Sequence, residues 1–192
     1  MLLDIGLGIV SAILVGELYS LDITPLLIGL GIAFALLPDI DFIYSVARHW
    51  RNNESSNERA IIKHRDLVHY PLIYLPLGGL IALSFGPAYS LLFLFASLGH
   101  FIHDSIGIGW GIPWLWPFTE RNYTFFYRYT APEKKLPSQM LYRWEREHID
   151  TLIDEYNDTN WLENIYFKLH PVFLTEILFF VATLFILWHI KV

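Results

Sequence analysis

The stretch Ala88-Tyr89-Ser90-Leu91-Leu92-Phe93-Leu94-Phe95-Ala96-Ser97-Leu98-Gly99-His100-Phe101-Ile102-His103-Asp104 joins an apolar run to a cluster of ionisable residues. The run, Ala88 to Ile102, is one of five. The others are Ile5–Tyr19, Ile23–Leu37, Pro71–Phe85 and Val172–Ile190. A full membrane span needs about 20 residues, which Val172–Ile190 approaches, whereas runs of about 10–14 are more often buried core helices. Apolar residues on every side of a helix require burial in lipid or in a large core, and a chain of 192 residues is too small to bury five such helices completely. Hydrophobic residues make up 54% and charged residues 17%, against about 45–50% and about 25% in soluble domains. The expected fold class is therefore all-α, a polytopic integral membrane helical bundle.

The connections organise that bundle. Leu21-Asp22 before Pro25 is a short turn, with Asp22 a possible helix N-cap, and Gly86-Pro87 is another turn. Two helical hairpins result, followed by a C-terminal transmembrane helix. Between the hairpins lies a polar loop, Arg48–Arg65. From Thr119 to Lys168 the chain is polar, charged and aromatic, and 119–168 is expected as a polar-side insertion within a single domain, 1–192. Inside it, Leu141, Trp144, His148, Leu152 and Tyr156 recur at helical spacing, which predicts an amphipathic helix over Ser138–Tyr156.

Walking the chain places the N-terminus, the Arg48–Arg65 loop and the insertion on one side. Of the 13 Lys and Arg, all but Lys191 lie there. Positive residues mark the cytoplasmic side. The expectation is a multi-pass protein of the cell membrane, N-terminus in and C-terminus out. Trp110, Trp114, Trp116, Phe118, Tyr123, Phe125, Phe126, Tyr127 and Tyr129 crowd the exit of the fourth run, either as an interface belt or as an aromatic core under the polar segment. No cleaved signal peptide is expected, because a basic n-region and a small-residue cleavage site are lacking. A net charge of −6 gives no support to a nucleic-acid partner. The absence of cysteine removes disulfides and thiolate metal sites.

Three ionisable clusters meet the polar side. The second run ends in Pro38-Asp39-Ile40-Asp41, the third is preceded by Lys63-His64-Arg65-Asp66-Leu67-Val68-His69, and the fourth ends in His100-Phe101-Ile102-His103-Asp104. Ionisable residues at membrane depth are costly and imply function. His100 and Asp104 are i and i+4 and share a helix face. His103, at i+3 from His100, is a spare candidate. His64 and His69 would diverge by about 140° on one helix, so both reach a metal only with His64 in the loop and His69 in the helix. Singly these are caps, loop histidines or hydrogen-bonded pairs. Together they suit a divalent metal such as zinc, manganese or iron. Arg65 and Lys63 could hold an anionic oxygen beside it, or anchor the chain at the membrane. Glu145 and His148 are an extra i, i+3 pair better read as a solvated face.

These motifs, with Gly111-Ile112-Pro113-Trp114-Leu115-Trp116-Pro117-Phe118 after them, resemble the YdjM-like membrane-bound metal-dependent hydrolases, some of whose members are LexA-regulated. The match covers about residues 1–120. The resemblance implies metal ligands at Asp39, Asp41, His64, His69, His100 and Asp104, with zinc the first choice of metal. It also implies hydrolysis in which the metal lowers the pKa of a bound water, Asp41 serves as base and Arg65 holds the transferred anion. Family members usually carry Thr-His near the N-terminus, where this chain has Asp4. Asp4 then either replaces the His as a ligand or marks an altered site. Asp66 stands where the family has a small residue. A looser likeness to helical zinc phospholipases C and nucleases points to a phosphoester, and a site at the bilayer interface points to membrane lipid. The alternatives are a structural or sensing metal site and a partner-binding membrane subunit. Transport, which needs charge on several helices at mid-membrane, is disfavoured because the charge noted within the runs is Glu17, near the far turn.

Overall fold

The computed structural model describes residues 1–40, 68–129, 135–156, 158, 160, 161 and 163–190. The chain is mostly helical. Helices α1 (Leu2–Tyr19), α2 (Pro25–Leu36), α3 (Pro71–Phe85) and α4 (Pro87–Asp104) are followed by strands β1 (Arg121–Phe125) and β2 (Leu141–Glu145), a short helix α5 (Ile149–Tyr156) and the long α6 (Pro171–His189). Among the described residues, the five apolar runs are thus the five long helices. Proline opens four of them, where its missing N–H and fixed φ cost nothing. The cap of α2 is Thr24, whose hydroxyl accepts from the Leu27 N–H at 3.2 Å, rather than Asp22.

Helices α1 and α2 pack as one hairpin and α3 and α4 as another, with α4 laid against α1 and α2 and with α6 against α1. At the α1–α2 crossing the backbones touch through Gly8 and Gly31: a Cβ on Gly31 would meet the Gly8 carbonyl oxygen at 2.3 Å. Small residues that let backbones approach, and hydroxyls that bond across helices, are how helices associate in lipid. Both devices occur here. Ser90 Oγ donates to the Gly78 carbonyl at 2.7 Å and Ser97 Oγ to the Phe34 carbonyl at 3.3 Å. Ala12, Val15, Leu27 and Leu92 fill one core cluster; Tyr74, Phe93, Phe101 and Ile112 fill another nearer the site.

Large apolar side chains also face outward, among them Leu83, Leu178 and Trp188, the last 86% exposed. Among the described residues, α1 and α6 are long and apolar enough to cross a membrane, while α2 and α3 are apolar but shorter.

The segment expected as one amphipathic helix over Ser138–Tyr156 differs. Only Ile149–Tyr156 is α-helical. Leu141–Glu145 is a strand paired antiparallel with β1, Arg121 opposite Glu145 and Thr124 opposite Tyr142. The strand wins because Tyr142 and Trp144 then share one face, where they stack on each other and meet Trp110 and Tyr127, while Arg143 and Glu145 turn out to solvent. An Arg121 Nε–Glu145 contact of 2.6 Å ties the two strands together at one end of the ladder. The fold is therefore helical with a small two-stranded sheet.

Candidate metal centre

Three helix ends deliver the site. Asp39 closes a single 3-10 turn, Leu37–Asp39, that continues α2. His69 lies two residues before Pro71 opens α3, outside the helix where it was expected. His100 and Asp104 share the last turn of α4, as their i, i+4 spacing requires. One donor atom from each of these four residues lies within 4.8 Å of all the others.

The contacts are tight. His69 Nε2 is 3.2 Å from Asp104 Oδ2 and 3.8 Å from Asp39 Oδ1. His100 Nε2 is 3.5 Å from Asp104 Oδ2 and 3.6 Å from Asp39 Oδ1. The two Nε2 atoms are 3.4 Å apart. His69, His100 and Asp104 are buried; the Asp39 side chain retains 17% of its exposure, so the cluster opens on that side. Two imidazoles and two carboxylates converging in a buried pocket fit a divalent cation, since buried charge must be paired or bound to metal.

The other expected residues divide. Asp41, His64, Arg65, Lys63 and Asp66 fall outside the described residues. Asp4, in the first turn of α1, is buried beside the group but not in it: its Oδ1 is 3.2 Å from His100 Nδ1, behind the ring, and 2.9 Å from His103 Nδ1. Glu145 is paired with Arg121, and His148 is exposed beside Glu147 at 3.8 Å, so that pair forms no site.

One participant was missed. Glu176 of α6 is 5% exposed and its Oε1 lies 3.7 Å from His103 Nε2. The signal was present, an acid set in an otherwise apolar run, and it adds to Glu17 as charge within the helices.

The segment after α4 roofs this end. Asp104 is followed by Ser105, whose carbonyl accepts from the Phe125 N–H at 2.6 Å, while the Phe125 carbonyl accepts from Gly107. Trp114 Nε1 donates to Ser105 Oγ at 2.6 Å. Gly111 takes φ +64° and passes so close to β1 that a Cβ would collide with the Tyr123 carbonyl. Of the two readings of the aromatic residues, the packed cluster is formed. Trp110 and Tyr127 pack into the sheet's cluster, whereas Phe118 is 86% exposed. Within the cluster, burial, aided by the neighbouring Tyr142, pushes the Tyr127 phenol up to about 12.

No curated protein and no solved structure matches the chain significantly. A family model does, and over nearly its whole length. With residues 4–190 matching, the His and Asp residues gathered at the helix ends sit in a chain that belongs to the YdjM inner membrane protein family.

Proposed function

We propose that this protein is a metal-dependent hydrolase working at the membrane interface, with zinc as its ion and a lipid or other phosphoester as its substrate. The observation that carries the reading is the spacing of the four donors. Zinc bonded at about 2.0–2.1 Å to four donors in a tetrahedron requires them to stand about 3.3 Å apart. Five of the six donor pairs among Asp39, His69, His100 and Asp104 stand 3.2 to 3.8 Å apart, and all four donors lie within 4.8 Å of one another. A bound ion would supply Lewis acidity toward the scissile group.

The chain's own residues do the rest. The two imidazoles and Asp104 fix the buried side. Asp39, the most exposed donor and the one with the longest contacts, is where a substrate oxygen enters. Asp41, two residues on, takes the proton from the attacking water, and Arg65 holds the anionic group; both roles rest on sequence position. His64 is held as a further ligand on the same ground. The helices cross the membrane as a multi-pass bundle, N-terminus in and C-terminus out, which puts the site on the cytoplasmic side. The distribution of Lys and Arg supports that orientation.

A second reading has its own observation. Four protein donors close a tetrahedron, and closed sites are structural rather than catalytic. Elemental analysis of detergent-purified protein beside His100→Ala/Asp104→Ala tests the site itself: bound metal in the wild type and none in the variant is expected, and no metal in either sinks both readings. Chelator-sensitive cleavage of a phosphoester by the loaded wild type then favours the hydrolase. A loaded protein inert across a panel of phosphoesters favours the structural site.

A further inference from the structure

Behind the four donors lies a second layer of ionisable residues, Asp4 of α1, His103 of α4 and Glu176 of α6. Resting on the metal reading above, we propose that Asp4 and Glu176 are positioning residues for the metal: Asp4 holds His100 with Nε2 turned to the ion, and Glu176 holds Asp4 in place through His103.

The geometry runs in one line. His100 presents Nε2 to Asp39, Asp104 and His69, and Nδ1 to Asp4 Oδ1 at 3.2 Å, off the ring N–H axis. An imidazole that binds a metal through one nitrogen carries its proton on the other, and a carboxylate there fixes both tautomer and ring orientation. Asp4 is the carboxylate within reach of that nitrogen, and a small turn of the ring brings the Nδ1–H onto it. The same oxygen accepts from His103 Nδ1 at 2.9 Å. His103 Nε2 turns to Glu176 at 3.7 Å. Asp4 Oδ2 and Glu176 Oε2 also meet the Met1 ammonium, at 3.0 and 3.6 Å, so a cation already joins these two carboxylates, and a second metal is not their natural occupant. The line links α1, α4 and α6, so α6 joins the site without contributing a ligand.

Glu176 gives this inference a signature that a packing role would lack. It sits in a largely apolar helix with several side chains exposed, Leu178 at 69%. An acid inside such a helix is costly unless it serves a function. Removing its carboxylate takes an acceptor from His103 Nε2 and a counter-charge from the Met1 ammonium, so recovery of metal binding by glutamine, which restores an acceptor without the charge, is that signature.

The test uses the full chain in detergent, stripped and titrated with Zn2+ and, separately, Co2+. Asp4→Asn is expected to lose about 10–100-fold in Zn2+ affinity, with the Co2+ absorption envelope of the wild type kept, since no ligand has changed. Asp104→Ala is the control in which that envelope changes. Glu176→Leu should bind Zn2+ more weakly than wild type, and Glu176→Gln should recover part of the loss. If Asp4→Asn alters the Co2+ envelope as Asp104→Ala does, Asp4 is a ligand and the proposal is overturned. Affinities within twofold of wild type for Asp4→Asn and Glu176→Leu overturn it while leaving the four-donor site intact. A wild type that binds neither ion removes the metal reading and the proposal together.

Discussion

Gly31→Ala is the smallest change with the largest expected effect on the fold. The added Cβ would lie 2.3 Å from the Gly8 carbonyl oxygen and 3.3 Å from the Ala12 Cβ. An ordinary carbon–oxygen contact needs about 3.3 Å, so α1 and α2 must separate by about 1 Å at their crossing. Overpacking of this kind costs about 1–3 kcal/mol. The strain then propagates. Asp39 lies about 12 Å along the chain from Gly31 at 1.5 Å per residue, and Asp4 lies one turn from Gly8 in α1. Metal donors tolerate displacements of only about 0.2 Å. Gly31→Ala should therefore unfold at a lower denaturant concentration in mixed micelles and also bind Zn2+ more weakly. Gly8→Ala, whose Cβ would sit 2.5 Å from Ile32 Cα, strains the same crossing. The double variant should accordingly cost less than the two single changes summed. A Gly31→Ala protein within about 0.5 kcal/mol of wild type, the range of an ordinary surface change, would refute the close-contact argument.

Zinc at about 100 times its Kd should stabilise the wild type by about 2.7 kcal/mol; a thermal scan should show that shift abolished by EDTA and absent in His69→Ala. The raised phenol of Tyr127 keeps its proton more tightly when folded than unfolded, so its contribution is present below pH 10 and lost as pH rises toward about 12. Unfolding measured across that window should be less pH-sensitive in Tyr127→Phe than in wild type. A reporter fused after Val192 should read as non-cytoplasmic, and cytoplasmic activity would invert the proposed orientation.

The long helices were legible because apolar runs and prolines are local signals. Pro25, Pro71, Pro87 and Pro171 mark four starts in the sequence and in the fold alike. The site was legible for a related reason: His100 and Asp104 declare a shared face by spacing alone, and Asp39 and His69 join them because hairpins return the chain to the same level. What failed was non-local. Leu141, Trp144 and His148 fit a helical period, but Tyr142 and Trp144 also fit a period of two, and only the partner strand at Arg121–Phe125, far back in the chain, decides between them. Glu176 was hidden similarly. Nothing near it in sequence announces that α6 will bring it against His103.

The knot formed by Ser105, Gly107 and Phe125 bears on how an ion would be received. Helix termini ordinarily fray, and a frayed last turn would leave His100 and Asp104 sampling many rotamers. Here the residue next to Asp104 is stitched into the sheet by the Phe125 N–H and braced by Trp114. The order that binding would otherwise have to impose on these two donors is set when the chain folds. The aromatic sheet, which supplies no donor, is in this sense the rigid frame in which the donors are mounted.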